Sequence, residues 1–233
     1  MSGKSRTACH ALCLLTGLSA SIWLANAGAS EAELLAKFNK DYNNPSAAAR
    51  KTAVDTLRGA TELATLQRLG AVAASDTDES IQAAAFDALC TGADPDGRVA
   101  QLACQVFQSA KNREAKLALV DSLEKLEFKL VPLQTLIKFM EGLVYPLLPD
   151  PNDVKSQPLN QTEKDPLAKV MKSRGEFEKC MSAINSMAGK TFAGTPRTKN
   201  EIKQWWKTGE AEISARDQKL REEKKKAAAP AKK

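Results

Sequence analysis

The chain has 233 residues, of which 27% are charged, 43% hydrophobic and 5% aromatic, with a formal net charge of +6. That is enough for one domain or two small ones of ordinary globular balance. It excludes a disulfide-rich miniprotein, a collagen-like chain and a wholly disordered chain.

Residues 1–27 carry the three parts of a secretory signal peptide in order. Lys4 and Arg6 form a positive start, Ala8 to Leu24 is an apolar run without a charge, and Ala25-Asn26-Ala27 is a small-x-small cleavage site. The run is short for a membrane-spanning helix, which needs about 20 apolar residues. Cys13 follows His10-Ala11-Leu12, a poor lipobox, so lipid attachment is set aside. The expectation is export to the periplasm or cell envelope, with retention of the segment as an anchor as the alternative. The single histidine, His10, lies in this segment. Beyond it no Ser-His-Asp or Cys-His catalysis, His-bound zinc or imidazole pH switch can be assembled. Three cysteines remain there, Cys90, Cys104 and Cys180. Cys90 and Cys104 flank a Gly-containing turn and could bridge facing helices; the simpler reading is three small buried apolar residues.

From residue 28 to about 190, apart from a break at about 149–174, the pattern is helical, and it repeats. AARKTAVDTL at 48–57, SIQAAAFDAL at 80–89, EAKLALVDSL at 114–123 and EKCMSAINSM at 178–187 align without gaps. Ala53, Ala85, Leu119 and Ala183 share one column, Val54, Phe86, Val120 and Ile184 the next, and Leu57, Leu89, Leu123 and Met187 a third. Spacings of one, three and four put these columns on one stripe of a 3.6-residue helix, which marks them as the repeat core. Asp55, Asp87, Asp121 and Asn185 form a polar column about 150° around the helix from the stripe, where it should face solvent. Each of these helices follows another, at Glu31–Tyr42, Glu62–Ala74, Gly97–Ala110 and Val131–Leu148. The links between them carry breakers and caps, such as Asn43-Asn44-Pro45 and Asp94-Pro95-Asp96-Gly97. No segment alternates with a period of two. A hairpin of about 33 residues cannot bury its own apolar stripe, so stacking is required. The expected fold is all-α: an α-solenoid of about four stacked helical hairpins with a C-terminal capping helix.

A helix, a short Asp-containing turn, then apolar-basic-x-x-Ala-x-x-x-Leu resembles HEAT and HEAT-like repeats over residues 31–190. Arg50 and Lys116 match the basic position and Gln82 departs from it; Asp76 and Asp78 match the acidic turn, where Asn44 and Asn112 stand elsewhere. The Trp-Leu-Gly-Tyr pattern of tetratricopeptide repeats is missing.

Periodicity fails at about 149–174, where Pro149, Pro151, Pro158 and Pro166 oppose continued helix. A polar insertion on one edge of the array is expected, either a connector or a binding loop held on a rigid scaffold. Residues 191–214 then form a cap. Thr198 and Glu201 are spaced for a capping box. Gly-x-x-Phe-x-Gly followed by Trp205-Trp206 resembles the closing segment of some exported bacterial HEAT-like proteins; Ile202 stands where a further Trp often occurs. One tryptophan is expected to close the end of the array and the other is free to anchor a partner. Residues 215–233 form a basic, low-complexity tail of eight bases against three acids, read as a helix running to about Lys224 and then a solvated end. The tail and the first residues hold the positive charge, and the body between them is close to neutral.

No phosphate-binding Gly-rich loop, dinucleotide fingerprint, Cys-x-x-Cys, Gly-x-Ser-x-Gly or calcium-loop spacing occurs. The carboxylate pairs Asp94/Asp96 and Asp150/Asp153 sit in Pro-containing turns, where Asp serves as a local backbone partner. The expected function is therefore a non-catalytic protein-binding scaffold of the cell envelope. Asp55, Asp87 and Asp121, as an acidic ridge, and Trp205 and Trp206 are the candidate contacts to an unidentified protein. An envelope tether holding an anionic surface through the basic tail is the alternative, and a carboxylate-dependent hydrolase a more distant one. No cofactor, metal, nucleic acid or small-molecule substrate is expected.

Overall fold

A computed structural model describes residues 30–143, 145 and 166–229. The expected signal peptide, Asp150/Asp153 and the first part of the insertion lie outside the described residues, as do the last four residues of the tail. Among the described residues the protein is all-helical. Its nine helices are α1 (Glu31–Asp41), α2 (Ala47–Thr56), α3 (Leu63–Ser75), α4 (Glu79–Cys90), α5 (Arg98–Ser109), α6 (Arg113–Leu123), α7 (Leu130–Glu141), α8 (Pro166–Ala188) and α9 (Thr198–Ala228).

Side-chain caps start four of them. Ser30 and Glu33 form a reciprocal capping box, with Ser30 N donating to Glu33 Oε2 at 2.7 Å and Glu33 N to Ser30 Oγ at 3.3 Å. Asp78 caps α4 by accepting from Ser80 N, and Asn112 caps α6 by accepting from Ala115 N. At α5 the cap comes from further away. Buried Asp94 accepts from Gly97 N at 2.8 Å and Ala100 N at 3.0 Å, while Gly97 turns the chain at φ 88°.

Helices pair along the chain as α1 with α2, α3 with α4, α5 with α6 and α7 with α8. Consecutive pairs then touch in two rows. In one, α3 packs on α5 and α5 on α7; in the other, α2 packs on α4, α4 on α6 and α6 on α8. This neighbour-to-neighbour packing is compatible with a helical repeat. The core lies between the rows. All twelve residues of the three aligned apolar columns are buried, with Val54, Phe86, Val120 and Ile184 at 0% exposure. Phe38 closes the core at one end, and Ile202 and Ile213 of α9 contribute to it at the other.

Three expectations about helix bounds need correction. The helix expected to reach Leu148 stops at Glu141. Gly142 follows, Leu143 turns into the core, and Tyr145 meets Phe177 edge-on and donates to Gly194 O at 2.9 Å, so this stretch is spent on tertiary contacts. The insertion is shorter than 149–174, because α8 begins at Pro166. Proline in the first turn of a helix gives up only an N–H that has no partner there, so it starts a helix as readily as it stops one. The capping box at Thr198 does not form: Thr198 is buried and accepts from Thr195 N at 2.8 Å instead.

The largest difference is at the C-terminus. The last helix runs through the boundary drawn at 214/215, as expected, and extends past Lys224 to Ala228 as one 31-residue helix. This helix runs antiparallel to α7. Near its start Lys199 donates to Glu141 O at 3.0 Å and Lys203 pairs with Glu141 at 3.0 Å. Two-thirds of the way along, Asp217 accepts from Leu130 N at 2.8 Å, at the first turn of α7. Arg221 then stacks on Phe128, 5.4 Å from its centroid, and donates to Asp96 O at 3.0 Å. The segment expected to be a solvated end is docked on the body.

Truncating a column residue removes contacts to two neighbouring helices at once. Leu89→Ala should therefore cost about 2–5 kcal/mol in urea unfolding, whereas Lys51→Ala, on the exposed face of α2, should stay within about 0.5 kcal/mol.

Candidate functional site

Asp55, Asp87, Asp121 and Asn185 are best followed along their own row of helices, since they occupy equivalent positions on α2, α4 and α6 and near the end of α8. Asp87 is gripped from both sides. Arg58, just past α2, reaches Oδ2 at 2.7 Å; Lys125, just past α6, reaches Oδ1 at 2.5 Å; and Ser122 donates to Oδ1 at 2.9 Å. Burial works against the charge, but the hydrogen bonds from Lys125, Arg58 and Ser122 outweigh it and hold the carboxyl down at about 2. Asp55 pairs with Arg58 at 3.6 Å, and Asp121 with Lys179 of α8 at 3.0 Å. Asn185 accepts from Phe192 N at 3.0 Å and so ties down the loop that follows α8. Within the column expected to be a wet acidic ridge, Asp87 and Asp121 thus link successive helices, while the contacts of Asp55 and Asn185 are local. Only Asp121 is exposed, and Asp87 is only partly so. The reason is geometric: a position well off the stripe of one helix still faces the groove beside the next helix in its row.

The tryptophans depart from expectation as well. Both Trp205 and Trp206 are half-buried, with ring centroids 5.7 Å apart. The Trp205 ring lies over Gly209, where an added Cβ would come within 2.5 Å of it, and meets Phe192 edge-on at 5.6 Å. Neither ring is the fully buried plug; Ile202 and Ile213 are. Neither ring stands free.

A second cluster joins residues that sequence comparison placed in separate repeats. Asp76, in the turn before α4, receives Arg50 Nε and Nη2 at 3.2 Å each, and the Tyr42 hydroxyl donates to it as well. Asp78 N closes on Oδ1 at 2.8 Å. Arg68 lies over Phe38 at 5.6 Å and Tyr42 at 5.7 Å. Burial and the hydrogen bond to Asp76 push the Tyr42 hydroxyl up to about 12. The Asp76 carboxyl lies below its usual range, because bonds from Arg50 and Tyr42 overcome the effect of burial. The aligned basic residue of one hairpin thus meets the aligned acid of the next. Where Gln82 replaces the basic residue, its side chain donates to Asp76 O at 2.5 Å. The Asp76 carboxylate at its centre is committed to the fold, while the buried Arg68 Nε beside it has no hydrogen-bond partner.

The carboxylates of the turn before α5 serve the fold, and the thiols are sealed inside it. Asp96 pairs with Arg98 at 2.7 Å, and with Asp94 it caps α5, as expected for carboxylates in that turn. Cys90, Cys104 and Cys180 are free and buried, so no Cys90–Cys104 bridge is present. Burial pushes the Cys104 thiol up to about 11, that of Cys180 to about 12, and that of Cys90 well above its ordinary value. Among the described residues no group of three or more His, Cys, Asp or Glu is placed to hold a metal ion. No described helix is long and apolar enough to cross a membrane.

Among the open features of the described surface, two bear on function. A cleft of about 410 Å³ lies between the later part of α9 and the first turns of α5 and α7, bordered by Gly97, Phe128, Val131, Asp217 and Arg221. The other is the outward face of the second-row helices. Ala48, Ser80, Glu114 and Glu178 form one aligned exposed column; Thr52, Ala84, Ala118 and Ser182, one turn on, form another that is exposed except for half-buried Ala84. Their side chains are small or short, apart from the two glutamates. Comparison with protein-family models, curated proteins and solved structures returns no match.

Because the Asp87 carboxyl is held at about 2 in the folded chain and lies near about 3.9 in an unfolded one, its contribution is full above the higher value and is lost as pH falls through the lower one. Unfolding free energy should therefore fall between about pH 4 and pH 2, and Asp87→Asn should flatten that part of the curve while lowering stability at neutral pH. The buried thiols of Cys90, Cys104 and Cys180 should resist an aromatic disulfide reagent in the native protein and react once urea unfolds it.

Proposed function

We propose that the chain is a HEAT-like α-solenoid of four stacked hairpins closed by a C-terminal helix, and that it serves as a non-catalytic scaffold binding another protein in the cell envelope. The observation that carries this reading is the two-row packing of helices in register with the sequence repeat. Such an array holds a long surface rigid without needing a pocket. The outward columns from Ala48 to Glu178 and from Thr52 to Ser182 give that surface a run of small side chains, over which a partner's backbone can approach closely. Asp87, Asp94 and Asp121 are taken up by caps and ion pairs, which makes them less available for recognition than this face. Location in the envelope rests on the signal-like pattern of residues 1–27.

A tether acting through the basic tail has less to work with. Lys219 faces Glu223 at 3.9 Å, Lys224 pairs with Glu127, and Arg216 and Arg221 donate to Met187 O and Asp96 O. Within the described tail, Lys225 and Lys226 are the cations left pointing outward without such a partner.

A photo-crosslinking side chain placed singly at Thr52, Ala84, Ala118 and Ser182 should trap the same protein partner from the row positions in envelope preparations. Crosslinks confined to Lys225 and Lys226, or crosslinks to lipid alone, would overturn the scaffold reading in favour of the tether.

A further inference from the structure

We propose that the second half of α9, from Ser214 to Ala228, is a strap that charge rather than apolar burial holds on the body, and that rising ionic strength releases it. This goes beyond the scaffold reading and does not depend on it.

The contact seam of α9 changes character along its length. Up to Ile213 the buried positions are Thr198, Ile202, Gly209 and Ile213, and the half-buried Trp205 and Trp206 pack beside them. After Ile213 the only buried residue is Asp217. The helical spacing continues through Leu220, Arg221 and Lys224, each half-buried, so the same face stays turned to the body. Three of those four seam residues are charged. Asp217 bonds the backbone of Leu130 with one oxygen, and its other oxygen is buried without a partner. Arg221 stacks on Phe128 and reaches Asp96 O, and Lys224 pairs with the exposed Glu127.

The packing beneath agrees with this. A well-packed interface leaves few voids larger than a water molecule. Here a cleft of about 410 Å³ opens under the strap beside Val131, bridged by Arg221, which reaches across to Gly97 and Asp96 O. A helix lying over open space with an unpartnered buried oxygen gains little from burial. Ion pairs and cation–π contacts at such a surface weaken as salt screens them. The strap can keep its helical preference when it lifts, because Ala, Lys, Glu, Arg and Leu dominate it and Lys219–Glu223 and Gln218–Glu222 support it along its own face. Release exposes Phe128, Leu130 and Val131 and frees Arg221 and Lys224. The device therefore couples the ionic surroundings to access at the first turns of α5 and α7.

Amide hydrogen exchange on the full chain tests this. Between about 0.02 M and about 0.5 M salt, amides of 217–226 should exchange about tenfold faster, while those of 202–213 change less than about twofold. Glu127→Lys, at an exposed site, should produce the fast exchange already at low salt, and Lys224→Glu should do the same by the reverse charge change. Equal protection of the two halves at both salt concentrations would overturn the proposal. So would 217–226 exchange that is indifferent to salt and to both charge reversals.

Discussion

Helices α2 to α8 each pack on a helix of a neighbouring pair as well as on their own partner, so each pair carries apolar surface beyond what its two helices cover. That surplus is the constraint from which the rest follows. Val54, Phe86, Val120 and Ile184 are wholly buried because each meets the pair before or after its own. Full burial of side chains of this size is worth roughly 1.5–3 kcal/mol apiece. Alanine at positions 53, 85 and 183 matters for a different reason: a small residue beside each large one lets neighbouring helices close without a void. An array built this way has two open ends, and each end needs a cover. At the first, Phe38 is buried under Arg68 and Tyr42. At the last, α9 lies along α7 and inserts Ile202 and Ile213.

Apolar stripes make the helices stack but fix their register loosely, since one alanine or leucine fits much like another. The charged links are more selective. Arg50 with Asp76, Arg58 and Lys125 with Asp87, and Lys179 with Asp121 each join consecutive pairs. Exposed pairs of this kind contribute little net stability, about 0–1 kcal/mol. The Asp76 cluster is different, because its carboxylate is shielded from water and every bond to it offsets a desolvation cost. A shift of one helical turn would strand that charge. Asp87, which sequence position suggests for recognition, is thus spent on alignment.

How much of this could be read from the sequence varies with the residue. The columns from Ala53 to Met187 were legible because a repeat shows the same burial several times over, and chance does not. The pairing of Arg50 with Asp76 was half legible: both fell on aligned positions, but only the fold shows that the acid of one hairpin serves the base of the one before it. The burial of Asp87 was not legible, because helical periodicity measures angle from the stripe and knows nothing of a second helix lying alongside. Pro166 misled because the same residue breaks a helix in its middle and begins one at its edge. The docking of residues 215–228 was hidden by composition. Its seam of Asp217, Leu220, Arg221 and Lys224 keeps the 3.6-residue spacing, yet three of the four are charged and read as solvated surface.

The same logic separates what can be known of the fold from what can be known of the function. Repetition exposes the core, since each hairpin must solve one packing problem in one way. Recognition asks for the opposite, a surface on which successive hairpins differ. On the outward columns Ser80 stands against Glu114 and Thr52 against Ala118, and no packing demand selects among them. Those positions are free to be set by whatever lies against them. In a protein whose buried carboxylates and thiols are engaged or sealed inside the fold, that freedom is concentrated on the open face and beneath the loosely seated end of α9.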